Sequence, residues 1–327
     1  MENKMKVSVG MTTYNSSKYV VEQLDSIFSQ SVLPDEIVIS DDCSKDDTVN
    51  IIRKYVCSKM GGVSVKIVVN EKNIGYIKNF EKCFLNCTGD IIISCDADDI
   101  WFKDKIEKII NCFENQEVIY VWHDAIVVDA SMNVISESLN KSWDYLEEKE
   151  DTRAILERSI KRQGFPYGME MAFRRELLKS IVPFQFAHDE WIYMCAAVMG
   201  KVKYIEEPLI YYRRHSKNTS GSNGESVISK AIHTPKQIWL DWPSSYVKSY
   251  STFYEKFKDA LPLNVKIELE NQIEFRRQLS RVEEEINCLR ACEHMLRINK
   301  NLYKKFRGAW KLFVLDILNI VASKRKV

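Results

Sequence analysis

Ile91-Ile92-Ile93-Ser94-Cys95-Asp96-Ala97-Asp98-Asp99-Ile100-Trp101 is the stretch that decides how this chain folds. Three consecutive isoleucines after Gly89-Asp90 mark a short strand buried on both faces, as in a parallel sheet. The strand ends in three carboxylates within four residues. Open α/β sheets place their ligands at that edge. Carboxylates this close repel one another unless they share a cation, and hard ions such as Mg²⁺ or Mn²⁺ prefer oxygen donors. A plainer reading stands beside this one, in which Asp98 or Asp99 caps a helix running from about Asp104.

Upstream, the same punctuation recurs. Lys6 to Met11 (KVSVGM) is rich in Val and alternates, which predicts a first strand. The polar loop Thr12-Thr13-Tyr14-Asn15-Ser16-Ser17 follows, then a helix carrying Val20, Val21, Leu24, Ile27 and Phe28. Glu36 to Ser40 is a second strand, and Asp41-Asp42-Cys43-Ser44-Lys45-Asp46-Asp47-Thr48 leads into a second helix. Val65 to Val69, the turn Asn73-Ile74-Gly75 and the helix Lys78 to Leu85 complete a third cycle. Strand–helix alternation of this kind predicts a doubly wound, mostly parallel sheet with right-handed crossovers. Its polar loops gather on one edge, where Thr12, Tyr14, Asp42, Asp96 and Asp98 can converge. Neither G-x-G-x-x-G nor G-x-x-x-x-G-K-[ST] follows the first strand, so a nucleotide here would depend on a cation for its phosphates.

The bulk composition narrows the class. The 327 residues are 45% hydrophobic and 11% aromatic, which suits a core-forming chain. A formal charge of +1 argues against a dedicated nucleic-acid binder. Nine scattered cysteines, mostly inside apolar runs, read as reduced thiols and point to the cytosol. Met1-Glu2-Asn3-Lys4 lacks the apolar stretch of a signal peptide, and no apolar segment is long enough to span a bilayer. A soluble or peripheral protein is expected.

Val7 to Asn15, Glu36 to Thr48, Asn73-Ile74-Gly75 with Asn79-Phe80, and Gly89 to Trp101, taken in this order, resemble the GT-A glycosyltransferases of family 2. These are inverting enzymes that use sugar nucleotides, and the resemblance covers about the first two-thirds of the chain. It implies a catalytic domain over 1–225, with a nucleotide-binding half to about 100 and an acceptor half from 101 to 225. It places Thr12, Thr13, Tyr14 and Asn15 at the nucleotide, with Thr12 and Tyr14 lining the nucleobase and ribose and Asp42 on the base edge; on residues alone, Thr12 and Tyr14 read as loop filling and Asp42 as a turn or cap. Asp96 and Asp98 become a D-x-D pair, Asp96 near the ribose or a metal-bound water and Asp98 on Mg²⁺ or Mn²⁺.

Past that pair, Val118 to Val128 predicts another strand, and family 2 enzymes place a small or polar pair where His123 and Asp124 stand. Both therefore become candidates to face the donor sugar, as does Lys78 on the third helix; a buried structural role for His123 is an equal alternative. Glu137 to Asp151 is an acidic excursion. Gly164 to Arg175 resembles the acceptor-side turn and strand, with Glu170 conspicuous in an apolar run. Ala187-His188-Asp189-Glu190-Trp191 occupies the family's catalytic-base position and resembles its rhamnosyltransferase-like branch, making Asp189 the base and Glu190 the reserve. On residues alone, either acid could simply complement a helix N-terminus. Tyr204 to His215 predicts a strand with a basic end; the resemblance makes His215 a candidate to complete the metal or pyrophosphate shell, and on residues alone it reads as an exposed loop histidine.

Beyond Ser226 the resemblance stops, and 226–327 reads as a helical extension. Phe275, Leu279, Val282, Ile286, Leu289 and Leu296 recur near heptad spacing, which suits a long helix and self-association over 275–296. Residues 301–327 mix aromatic and aliphatic side chains with Lys and Arg, a composition suited to a membrane interface or to internal packing. The expectation is a glycosyltransferase of surface-polysaccharide (O-antigen or capsule) synthesis at the inner face of the plasma membrane. Its donor would be dTDP-rhamnose or a UDP-hexose and its acceptor a lipid-linked oligosaccharide. The rivals are a non-catalytic sugar-nucleotide-binding or scaffold protein of the same fold, and a nucleotidyltransferase.

Overall fold

The computed structural model describes residues 5–58, 62–140, 151–161, 165–215, 218 and 236–284. They fall into two compact units: Met1–Ile155 with Phe165–Thr219, and Leu156–Gly164 with Ser220–Val327. The division passes through one helix, α5 below.

The first unit begins with the three predicted cycles: β1 (Val7–Thr13), α1 (Val20–Phe28), β2 (Glu36–Asp41), α2 (Thr48–Ser58), β3 (Ser64–Val69) and α3 (Tyr76–Leu85). β4 (Ile91–Cys95) follows, and Ile91, Ile92 and Ile93 are all fully buried, as a central strand covered on both faces requires. α1 turns Val20, Leu24 and Ile27 into the core and leaves Glu22 and Asp25 outside. Gly10 is needed in β1, because a β-carbon there would lie 2.9 Å from the Phe84 ring.

The remaining elements are β5 (Ile100–Trp101), α4 (Lys105–Cys112), β6 (Val118–Val128), β7 (Val134–Ser136), α5 (Thr152–Lys161), β8 (Met171–Arg174), α6 (Leu178–Ile181), α7 (His188–Met199) and β9 (Lys201–Arg213). Among the described residues one sheet runs β3-β2-β1-β4-β8-β6-β9-β5, with β7 paired to β6. β1 to β4 are parallel throughout. The pattern changes at β8, which lies antiparallel to both β4 and β6. β6 and β9 are again parallel, whereas β5 is antiparallel to β9. The α/β, GT-A-like expectation is met, but the sheet is uniformly parallel only over its first half.

Register explains why the polar loops converge. Thr13 stands opposite Asp41 and Met11 opposite Cys95, so β1, β2 and β4 finish level on one edge. β8 runs the other way, with Ile93 opposite Ala172 and Trp122 opposite Met171. Its first residue, and the 3-10 turn Gly168–Glu170 before it, therefore arrive at the same edge. β9 ends there too, drawn back by the pairing of Ile100 with Tyr211. Arg174 anchors β8 from behind, donating to the carbonyls of Val118 and Phe113 at 2.8 Å. Phe113 caps the C-terminus of α4, where a cation is favoured.

The second unit holds two long helices, Lys236–Phe257 and Leu263–Glu284. Tyr254 donates to Glu270 at 2.6 Å and Arg276 lies 4.6 Å above the Tyr246 ring, so the helices run antiparallel. Phe253, Val265, Leu269 and Phe275 are buried. Phe275 and Leu279 belong to the second helix, while Ile286, Leu289, Leu296 and the segment 301–327 lie outside the described residues. No described helix is long and apolar enough to cross a membrane.

Candidate active site

The loops after β1 and β2 are stapled to each other. Thr13 Oγ1 donates to Asp41 Oδ2 at 2.8 Å, Asn15 N–H to Ser44 Oγ at 2.8 Å, and Lys45 N–H to Asn15 Oδ1 at 2.8 Å. Asn15 and Cys43 both adopt positive φ (51° and 62°), the kink that lets the two loops meet. Thr13 and Asn15 thus shape this corner, while Thr12 is half-buried and Tyr14 exposed. Asp42 is turned toward the β3–α3 loop. Its Oδ1 accepts from Ile74 N–H and Asn70 Nδ2, and its Oδ2 from Gly75 N–H, all at 2.8–2.9 Å. Asn79, buried behind them, accepts from Ser40 Oγ and Asn70 and donates to the Ser40 carbonyl.

The carboxylates after β4 do converge. One oxygen each of Asp96, Asp98 and Asp99 lies within 4.8 Å of the others. His215 Nε2 stands 2.8 Å from Asp98 Oδ2, and Asn218 Nδ2 is 3.5 Å from the same oxygen. Asp99 is fully buried; its Oδ1 accepts from Arg213 N–H at 3.0 Å, and its Oδ2 has no partner. Burial, then Asp98 and Asp96, hold Asp99 well above the usual carboxylate range. Burial, then Asp98 and Asp189, push Asp96 up to about 7. Three oxygens and an imidazole, with one buried carboxylate oxygen unanswered, form a donor set that fits Mg²⁺ or Mn²⁺.

Against this acidic cluster stands a buried cation that the sequence reading passed over. Lys105, fully buried, donates to the Met169 carbonyl at 3.0 Å with its ammonium 4.0 Å above the Trp101 ring. Burial lowers it to about 8, opposed by Cys95, Asp99, Glu170 and Asp96. Glu170, also fully buried, is pushed up to about 8 by burial; it accepts from Tyr167 N–H at 2.8 Å and Asn140 Nδ2 at 3.0 Å.

Asp124 holds the segment that brings Asn140 in, accepting from the N–H groups of Ala125, Leu139 and Asn140 and from the Ser138 hydroxyl. His123 is buried with Nδ1 2.7 Å from the Asp124 carbonyl, and burial holds it neutral. Lys78 is exposed on the outer face of α3. The two acids at the start of α7 part company: Asp189 is half-buried and close enough to Asp96 to raise it, whereas Glu190 is fully buried. The structure therefore gathers Asp96, Asp98, Asp99, Lys105, Glu170, Asp189 and His215. It leaves Lys78 outside and engages Asp42 and Asp124 in loop backbone.

The sheet switches from parallel to mixed, and the acidic cluster stands at the strand ends beside that switch, where open α/β sheets seat their ligands. Residues 8–182 match the profile of Glycosyl transferase family 2, and the chain belongs to that family. It is 29% identical over 226 residues, 65% of this chain and 74% of the relative, to the dTDP-rhamnosyl transferase RfbG of Shigella flexneri. It is 24% identical to the uncharacterized glycosyltransferase alr2836 of Nostoc, over 84% of this chain and 82% of that one. Among solved structures it is similar to S. aureus TarS 1–349 in complex with UDP-GlcNAc. That match has a TM-score of 0.61, 19% identity, and coverage of 98% and 92% of the two chains. A mannosyltransferase from Pyrobaculum calidifontis in complex with GDP-Man and Mn²⁺ gives 0.55 at 16% identity, over 99% and 88%. At such identities these structures establish the GT-A fold.

Proposed function

We propose that this chain is a metal-dependent, inverting glycosyltransferase. It moves a sugar from a nucleoside diphosphate, dTDP-rhamnose or a UDP-hexose, to a hydroxyl of a lipid-linked oligosaccharide in surface-polysaccharide synthesis. The observation that carries this reading is the meeting of Asp96, Asp98 and His215 with Asp189 at one sheet edge. Asp96, Asp98, Asp99 and His215 would hold Mg²⁺ or Mn²⁺, which when bound offsets negative charge on a departing diphosphate. The loop Thr12–Asn15 would seat the nucleotide. Asp189 takes the proton from the acceptor hydroxyl as its oxygen attacks the anomeric carbon. One displacement from the far face inverts that carbon, so no protein nucleophile is required.

The rhamnosyl preference draws on the His188–Trp191 pattern and on the printed name of the Shigella relative. The lipid-linked acceptor and a station at the inner membrane face draw on the composition of 301–327, whose Lys and Arg residues suit an anionic surface. The test is a panel of sugar nucleotides, scored by thermal stabilisation and by hydrolysis or transfer with Mn²⁺ and with EDTA. Selective, Mn²⁺-dependent turnover of one donor, with an inverted product by NMR, is the expected result. A chain that neither binds nor turns over any nucleotide sugar would sink the proposal.

A further inference from the structure

His215 lies two residues beyond the end of β9, so no regular element fixes its ring. Its neighbours do. The Tyr19 ring is stacked on the imidazole, with centroids 4.8 Å apart and planes 24° from parallel. Tyr19 is only 8% exposed and sits at the N-terminal boundary of α1. The Arg213 guanidinium also lies over that ring, at 4.5 Å, and is paired through Nη2 with Glu22 one turn along α1. Arg213 N–H in turn donates to Asp99, and Asn218 bridges the Arg213 carbonyl and the His215 N–H. The first turn of α1 therefore holds the β9 exit, and its one aromatic ring lies against the histidine.

We propose that Tyr19 is a positioning residue: its ring holds the His215 imidazole with Nε2 toward Asp98, so that both serve one cation. The inference rests on reading His215 and Asp98 as cation ligands. A histidine on a coil would otherwise divide among rotamers and lose side-chain freedom on each binding event. Stacking removes that loss beforehand. In this reading Tyr19 is no ligand itself and acts through His215.

The experiment measures Mn²⁺ affinity of the full chain by calorimetry for the parent, Y19F, Y19L, H215A and Y19L/H215A. Y19F keeps the ring face and should bind as the parent does. Y19L should weaken Mn²⁺ by several-fold to about tenfold. H215A should weaken it at least as much, and the double variant should equal H215A alone, because Tyr19 has nothing left to position. If Y19L is unstable, Y19M, of similar reach but without a ring face, takes its place. A Y19L effect that adds to H215A, or no effect where H215A weakens binding, overturns the role of Tyr19. No effect of H215A itself overturns the ligand reading and the inference with it.

Discussion

Gly168 lies directly against the imidazole of His188: a β-carbon on that glycine would sit 2.5 Å from His188 Nε2. The ring cannot swing aside cheaply, because it is stacked on Phe80 with centroids 3.7 Å apart. Gly168 opens the turn that carries Glu170, and His188 opens the helix that carries Asp189. Two acids from separate elements are thus spaced by one close contact.

Gly168→Ala should displace the start of α7 and with it Asp189. Overpacking of this kind costs about 1–3 kcal/mol of stability, and turnover should fall about tenfold or more, as a misplaced catalytic group implies. Kinetics and thermal melts of G168A, H188A and the pair provide the check. In the H188A background the added methyl should do little; equal damage there would mean that the contact is not what spaces the two acids.

Asp98→Ala should abolish transfer and Mn²⁺-dependent binding of the nucleoside diphosphate while leaving the melting temperature nearly unchanged, since Asp98 faces the cluster and not the core. Near-parental turnover in D98A, or indifference of the parent to EDTA, would remove the metal from the mechanism.

Asp189→Asn preserves shape but cannot take a proton, so turnover should drop by roughly two to four orders of magnitude with donor affinity little altered. Glu190→Gln should act chiefly on stability, because Glu190 is buried within α7's packing face. A crippling Glu190→Gln beside a mild Asp189→Asn would transfer the base to Glu190.

Glu170 and Lys105 give stability a defined pH dependence. Glu170 titrates near 8 in the folded chain and near 4.5 when unfolded, so the folded state keeps a proton the unfolded state has shed. Stability from this group falls as pH rises from about 4.5 to 8. Lys105, lowered from 10.5 to about 8, acts oppositely and restores stability between those values. Glu170→Gln should therefore make the decline in melting temperature from pH 5 to 8 visibly shallower. Parallel curves for parent and variant, measured in EDTA, would mean that Glu170 is ionised in the fold.

The order of the elements up to β4 is legible because Gly, Pro, Asn or Asp follows each apolar run there, and β1 to β4 appear where the pattern puts them. Asp96, Asp98, Asp189 and His215 are named from the sequence because the resemblance to family 2 marks their positions; on residues alone, acids at helix starts are ordinary caps. Asp99 and Lys105 are not picked out, since local pattern does not reveal a buried charge. Asp104-Lys105-Ile106-Glu107-Lys108 reads as a wet helix start, although Lys105 shares a face with Ile109 and Cys112, which was the available signal. The resemblance makes Asp42 and Asp124 ligand-facing acids; the structure adds loop N–H groups as partners of each, and such partners have no sequence signature. β8 is four residues of ordinary composition, so its place between β4 and β6 depends on tertiary pairing alone.

That insertion also bears on how the protein is made. A nascent chain that has emerged only as far as Val128 holds β4 with one hydrogen-bonding edge open, and β6 without β8 or β9. Both strands are hydrophobic, and such free edges invite association with other chains. Met171–Arg174 closes the two edges at once, and Lys201–Arg213 then seals β6 from its other side. The first half of the sheet can therefore form progressively during translation, whereas the chemical half must wait for the chain beyond it and assemble late. Aggregation during expression should concentrate in chains truncated between β6 and β8.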